Sequence, residues 1–179
     1  MDKFTYYERK AVAAVLLVVN ELSRVDRHKL AKILFFADQK HLARYGRTIT
    51  SDTYCAMEAG PVPSHIYDSI KCVGKEHHLE GHNGLKGKIE VGGIYLTPLE
   101  KPDIDQLSYS DLGCLIESIK ENSGLSFRQL KDKSHGTAWG SVSENQQIPF
   151  LEIAKEVSAS EEILEIIEMN LQAEAILSL

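Results

Sequence analysis

The nine consecutive apolar residues AVAAVLLVV at positions 11–19 constrain the fold most strongly, because no face of such a segment can remain in water. The run is too short to span a bilayer, which takes about 20 apolar residues in a helix. Charged and amide side chains flank it, and no small-residue cleavage site follows a basic region. We therefore expect a central core helix from about Phe4 to Arg24, in a cytoplasmic protein.

Capping residues predict further helices along the chain. Asp26 and Gly46 are placed to begin and end a helix that reaches Tyr45, and Ser64 can cap a helix that reaches about Gly74. The Ser-x-x-Asp pattern from Ser108 favours a helix over 107–124, and a similar start at Ser126 favours one over 125–136. The last predicted helix, amphipathic and acidic, covers about 160–177.

Extended structure is predicted in two places. Thr53–Met57 has the composition of a short strand, and KIEV-GG-IYLT predicts a hairpin with a Gly92-Gly93 turn. Between them, GPVP at 60–63 predicts a rigid joint near Asp38 and Tyr45, because its prolines fix φ and remove two N–H groups that an anion would need. The chain is thus predicted to be α+β and predominantly α-helical. We expect one compact helical domain over 1–179, with a small antiparallel β-hairpin insert and a core within 4–155.

The second helix combines a basic arc with a polar pair on the opposite arc. At 100° per residue the basic arc contains one aromatic residue among cations: Lys29, Lys32, Phe36, Lys40, Arg44 and Arg47. It is either a solvated face or a partner surface for an acidic protein or DNA. The opposite arc, predicted to be buried, contains Leu30, Leu34, Ala37, Asp38, His41 and Tyr45.

A buried Asp38 needs a partner, because an unpaired carboxylate inside a protein costs several kcal/mol. The candidates are His41, Tyr45, Arg47 and a backbone N–H group. The first interpretation is that Asp38 fixes the structure. The alternative is an acid–base pair of Asp38 and His41, for which the sequence supplies no recognisable nucleophile or substrate pocket.

Other chemistry has little support in the sequence. Three sparsely placed cysteines fit reduced thiols, and neither a nucleophile elbow nor a phosphate-binding loop is present. A metal site is the alternative to a solvated loop for one cluster within a glycine-rich segment: Cys72, His77, His78, Glu80 and His82. We expect no catalytic residue, no cofactor and no metal. The net charge of −6 also disfavours a general nucleic-acid binder.

Residues 29–70 resemble the signature of the Panacea domain, the SocA-like antitoxins once grouped with phage-associated GepA proteins. The matching residues are Lys32, Leu34, Ala37, Asp38, His41, Leu42, Tyr45, Gly46, Arg47, Ile49, Thr50, Asp52, Tyr54, Ala56, Gly60, Pro61 and Val62. The segments 94–119 and 125–139, the latter ending at Trp139, resemble later blocks of the same family. Pro98-Leu99-Glu100 departs from it, because many relatives carry a glycine after the threonine.

The resemblance implies a binding module rather than an enzyme. It implies an antitoxin that neutralises a cognate toxin by direct contact. In SocA the domain also acts as an adaptor for an ATP-dependent unfoldase–protease, and the resemblance extends that expectation to this chain. The matching residues, among them Trp139, are then expected to form a scaffold. A DNA-binding autorepressor that uses the basic arc is the alternative. The C-terminal helix is expected to pack on its own domain, with contact to a second copy or to the toxin as the alternative.

Overall fold

The computed structural model describes residues 3–75, 82 and 84–177, which form eight α-helices and six short strands. The elements are α1 Lys3–Leu22, β1 Val25–Asp26, α2 Arg27–Tyr45, β2 Tyr54–Met57, β3 Gly60–Pro63, α3 Ser64–Val73, β4 Ile89–Gly92, β5 Tyr95–Pro98, α4 Tyr109–Asn122, α5 Phe127–Ser134, α6 Thr137–Gly140, β6 Gln147–Ile148, α7 Phe150–Glu156 and α8 Glu161–Leu177. The predicted class, α+β and predominantly α-helical, is confirmed. None of the helices described has the length and apolar character needed to cross a membrane.

Helix α1 forms the centre of one of two core clusters. Every residue from Ala13 to Val19 is buried, as the apolar run predicts. The first core cluster joins this run to apolar residues of other elements, including Leu34, Leu96 and Leu115. The second core cluster lies on the other side of α2 and includes Phe35, Tyr54, Leu130, Ile153 and Ile167. Because Ile167 belongs to it, α8 packs on the rest of the chain.

Helix α2 connects the two clusters and begins and ends where its capping residues predict. The Asp26 carboxylate accepts a hydrogen bond from the backbone N–H of Lys29 at 2.8 Å. Gly46 adopts a left-handed φ of 69° and donates its N–H to the carbonyl oxygen of Leu42 at 3.0 Å. Within α2, twelve residues are buried, so this helix is surrounded by other elements on most of its sides.

Of these two caps, Gly46 tolerates substitution less well, because both its backbone conformation and its surroundings require glycine. A Cβ atom added there would lie 2.8 Å from Cγ2 of Ile166, and the left-handed φ strains any L side chain. We expect Gly46→Ala to lower the free energy of unfolding by about 2 kcal/mol. Gly113→Ala is the matched control, because a Cβ atom there meets nothing within 4 Å and alanine favours helix. Chemical denaturation of both variants checks this, and equal stability of the two would contradict it.

The strands form two three-stranded antiparallel sheets, with orders β1-β5-β4 and β3-β2-β6. The predicted hairpin is β4–β5, but its turn is Gly93-Ile94, since Gly92 pairs with Tyr95. The second sheet was not predicted. GPVP at 60–63 is strand β3 rather than a simple joint, and its prolines are tolerated because β3 is an edge strand.

Three further helix starts were predicted from serine caps. Ser108 with Asp111 and Ser126 with Gln129 form reciprocal capping boxes, which confirms both starts. The cap at Ser64 is wrong, because α3 begins at Ser64 and its N-cap is Pro63, which makes no side-chain hydrogen bond there. Its first N–H groups are instead satisfied by a carboxylate from before β2.

That carboxylate belongs to Asp52, which is buried. One oxygen of Asp52 accepts from the N–H of His65 at 3.0 Å, and the other accepts from the N–H of Ile66 at 2.8 Å. A negative charge at a helix N-terminus also interacts favourably with the helix dipole. Asp52 therefore fixes the start of α3 to the segment that leads into β2.

Candidate functional site

The residues that carry the sequence signature meet around Asp38, which is buried on α2. One carboxylate oxygen of Asp38 accepts from the backbone N–H of Ile49 at 2.6 Å and of Thr50 at 3.3 Å. The other accepts from the hydroxyls of Thr50 and Tyr54, each at 2.7 Å. Asp38 thus holds the loop after α2 and the start of β2 against the middle of α2.

These bonds decide between the partners that the sequence left open. The backbone N–H alternative is confirmed, and the hydrogen bonds of His41 and Arg47 go to groups other than Asp38. Burial raises the pKa of Asp38, and the bonds from Tyr54 and Thr50 oppose that rise. A carboxylate enclosed by four donors has no free position for a substrate, so this geometry supports a structural role.

A second polar network is centred on Asp111, near the N-terminus of α4. Its Oδ2 lies 2.7 Å from Nζ of Lys10, and its Oδ1 lies 3.1 Å from both His41 Nε2 and Arg47 Nη2. Oδ2 also accepts the N–H of Ser108 at 2.9 Å, which closes the capping box. This carboxylate therefore ties α1, the end of α2 and the start of α4 together.

His41 is oriented by its other ring nitrogen. Nδ1 lies 2.8 Å from the carbonyl oxygen of Arg47, so Nδ1 carries the proton that it donates there. Nε2 then faces Ser110 Oγ at 3.0 Å as well as Asp111. The ring of Tyr45 contacts that of His41 at a tilt of 43°, with centroids 4.6 Å apart. Tyr45 is 49% exposed, so its predicted place on the buried arc is wrong.

Side chains from α2 and α6 bind carbonyl groups of the hairpin β2–β3. His28 Nε2 lies 3.2 Å from the oxygen of Ala59, and Lys32 Nζ donates to the oxygen of Pro61 at 2.7 Å. Trp139 Nε1 donates to the oxygen of Met57 at 2.9 Å. Side chains from distant parts of the sequence thus hold one short hairpin in place.

Gly60 allows Lys32 to reach this hairpin. It has a φ of +100°, and an added Cβ would collide with Ser134 Oγ and lie 3.0 Å from Lys32 Nζ. Lys32 is 0% exposed, and burial lowers its pKa from 10.5 to about 7. A lysine in such surroundings loses its proton more readily in the folded chain than in the unfolded one.

This difference makes stability depend on pH in a definite direction. Between the folded pKa of about 7 and the unfolded value of 10.5 the unfolded chain binds more protons, so stability rises with pH. From pH 7 to pH 9 the gain from Lys32 is roughly 2 kcal/mol, and Lys32→Met should lack it. Urea unfolding at both values measures this. Lys120→Met, at an exposed position, is the control, and parallel pH curves for Lys32→Met and wild type would contradict the expectation.

The basic arc of α2 is not a free surface. Lys32 and Phe36 are buried, at 0% and 5% exposure, which corrects their assignment to a partner surface. Lys29 Nζ donates to the carbonyl oxygen of Ser123, and Lys133 lies over the ring of Phe36. The physical reason is that α4 and α5 pack on this arc.

Helix α4 also supplies the counter-charges for the arc. Arg44 makes two hydrogen bonds to Glu117, at 3.0 and 2.7 Å, and Lys40 Nζ lies 2.8 Å from Glu121. Arg47 reaches Asp111, as described above. Three of the cations that suggested an external partner are therefore paired with carboxylates, and the two lysines earlier in the arc bond backbone carbonyl oxygens.

The cluster considered as a metal site lies largely outside the described residues. His77, His78 and Glu80 are among the residues that the structure does not describe, whereas Cys72 lies near the end of α3. Across 3–75, 82 and 84–177, no group of three or more metal-binding side chains occurs together.

The fold is an α+β, predominantly helical domain. The networks around Asp38 and Asp111 and the contacts to the hairpin β2–β3 hold its elements together. The chain belongs to the SocA-like antitoxin family with the Panacea domain, whose family model matches residues 30–140. The resemblance seen in the sequence is thereby confirmed. Neither a curated protein nor a solved structure matches the chain significantly.

Several members of these networks were not predicted as site residues. Lys10 and Ser110 contribute to the Asp111 network, and His28 contributes to the hairpin contacts. Asp111 was recognised only as a helix-capping residue. Its position in a capping box explains its bond to Ser108, so no local signal showed that the same carboxylate also faces Lys10, His41 and Arg47.

Proposed function

We propose that this chain is an antitoxin that neutralises a cognate toxin protein by direct binding. The observation that carries the proposal is the match of the family model over residues 30–140. An antitoxin needs a stable surface that a toxin recognises, and the signature residues here stabilise such a surface from within. Partner choice then rests on exposed residues around the signature.

The geometry supports a binding protein rather than an enzyme. Asp38 and His41, considered as an acid–base pair, make their hydrogen bonds to different partners. Each is fully enclosed, at 1% and 0% exposure. General acid–base catalysis needs a group within hydrogen-bond reach of a substrate, which this enclosure opposes.

The alternative, a DNA-binding autorepressor, is less well supported. Its basis was the basic arc of α2, and Lys40, Arg44 and Arg47 are paired there with carboxylates of α4. Binding to DNA would have to break these pairs before phosphates could replace them. A promoter-binding assay with a steep salt dependence would reverse this preference.

Co-expression tests the neutralisation directly. The product of the gene adjacent to this one is expressed in a host whose growth it inhibits, with and without the chain. We expect the chain to restore growth, and a folded chain that does not restore it would overturn the proposal. The variant Glu21→Lys, at an exposed position with no hydrogen bond or ion pair to the residues that the structure describes, is a neutral control for expression level.

A role as adaptor for an ATP-dependent unfoldase–protease is a finer form of the same proposal. If the chain delivers its partner for degradation, the half-life of the partner falls when the chain is present and the protease is active. If the chain is a stoichiometric inhibitor, the half-life stays the same while growth is restored. A pulse-chase measurement of the partner distinguishes the two. A homodimer would be visible in the mass of the purified chain.

A further inference from the structure

A cavity of about 380 Å³ opens beside the hairpin β2–β3, and Trp139, whose indole N–H bonds that hairpin, forms part of its lining. Residues of β2 and its following turn, of α5 and its C-terminal end, of α6 and of the loop before β6 line it. Its lining consists of Ala56, Glu58, Lys131, His135, Trp139, Val142 and Glu144. The volume falls within the usual range of sites that take a ligand or a large side chain, about 300 to 1,000 Å³.

An aromatic pair forms one wall of this cavity. The rings of Trp139 and His135 are parallel within 4°, with centroids 3.8 Å apart. The hydrogen bond from Trp139 Nε1 to Met57 fixes the indole, so the wall is already formed in the free protein. Burial lowers the pKa of His135, which leaves this imidazole neutral at pH 7 and adds no positive charge to the wall.

Polar groups with unused bonding capacity surround the wall. Throughout the described chain, the side chains of Glu58, Glu144 and Lys131 have no hydrogen bond and no ion pair, and His135 Nε2 is buried without a hydrogen bond. Two carboxylates and one ammonium give the site a net negative charge. A buried ring nitrogen without a hydrogen bond is unusual in a folded protein. Glu58 and Glu144 are exposed, so their carboxylates are free to bond a ligand that enters the cavity.

We propose that this cavity binds an arginine side chain of a protein partner. A guanidinium is planar and can stack on this aromatic pair, while its five N–H groups can bond two carboxylates at once. An anion would face Glu58 and Glu144, and an apolar side chain would leave both carboxylates desolvated without a partner. That the partner is a protein rests on the function proposed above, which the cavity makes more specific.

The single tryptophan of the chain allows a direct test, because all indole fluorescence then comes from Trp139. The probe is the blocked tripeptide acetyl-Gly-Arg-Gly-amide, and its control is the same peptide with citrulline, which has the same shape without the charge. We expect a saturable change of Trp139 emission with the arginine peptide, and binding about tenfold weaker with citrulline. No saturation, or equal responses to the two peptides, would overturn the proposal.

Charge variants give effects of opposite sign at neighbouring positions. Glu58→Gln with Glu144→Gln should weaken binding of the arginine peptide about tenfold, and Lys131→Gln should strengthen it several-fold. Glu21→Gln with Asp105→Asn removes the same charge at other exposed positions and should leave binding unchanged. A purely structural role of these side chains would not produce two opposite signs, and shifts of the same sign would contradict the site.

Binding of the adjacent-gene product to wild type and to charge-reversed variants tests this inference and the proposed function separately. If that protein binds wild type but also binds Glu58→Lys with Glu144→Lys equally well, the antitoxin proposal stands and the arginine site fails. If the arginine peptide binds and the adjacent-gene product does not, the site stands and the antitoxin proposal fails. Glu21→Lys with Asp105→Lys is the charge-matched control.

Discussion

Replacing Asp38 with asparagine is expected to lower the free energy of unfolding by roughly 3 kcal/mol. The carboxylate accepts four hydrogen bonds, whereas an amide offers one accepting oxygen and places an NH₂ group against donors. At least two buried donors then lose an acceptor. In a chain of this size that loss lowers the melting temperature by roughly 6 to 12 °C.

Two further variants show whether the loss comes from this network. Tyr54→Phe removes one donor and keeps the carboxylate, so it should lower the free energy of unfolding by about 1 kcal/mol. Asp105→Asn, at an exposed position, should have no effect. Thermal unfolding of all three measures this. If Asp38→Asn melts at the wild-type temperature, Asp38 does not hold the loop after α2 to that helix.

Asp111→Asn is expected to have an effect of similar size, roughly 3 kcal/mol at pH 7. The substitution leaves Lys10, His41 and Arg47 around a neutral amide. Burial alone would raise the pKa of Asp111, but hydrogen bonds from His41, Lys10 and Ser108 outweigh it and hold the pKa well below 3.8. The stabilisation is therefore present above the unfolded pKa of about 3.8 and is lost as the pH falls below it.

The variant should consequently lose less stability than wild type between pH 5 and pH 2. Urea unfolding at a series of pH values measures both the difference at pH 7 and its decrease on acidification. Lys10→Met, alone and combined with Asp111→Asn, provides a double-mutant cycle for the 2.7 Å pair. Equal acid dependence of variant and wild type would show that the buried carboxylate is not the group responsible.

Local patterns predicted six of the eight described helices, though not α6 or α7, and the burial of Asp38, because they depend on neighbours within a few residues. The apolar run at 11–19 and the caps at Asp26, Gly46, Ser108 and Ser126 each act within one or two turns. A buried carboxylate requires hydrogen-bond donors, so the sequence predicts that Asp38 has a partner but does not identify it. Thr50 and Tyr54 could not be named, because their approach depends on how the chain returns after α2.

Long-range packing explains what the sequence did not predict. The basic arc of α2 looks exposed until Glu117 and Glu121 of α4, about 80 positions later, pack against it. Similarly, strand β3 contains two prolines and resembles a joint until β2 pairs with it. A single sequence contains the charges and the prolines but not the distances between them.

The most direct test of the central claim is the mass of the complex formed by the purified chain and the product of the adjacent gene. Size-exclusion chromatography with light scattering measures it in buffer of moderate ionic strength. The antitoxin proposal predicts one species that contains both proteins in a fixed ratio, with the inhibitory activity of the partner lost. Two separate species, from a partner that is itself folded and active, would contradict it.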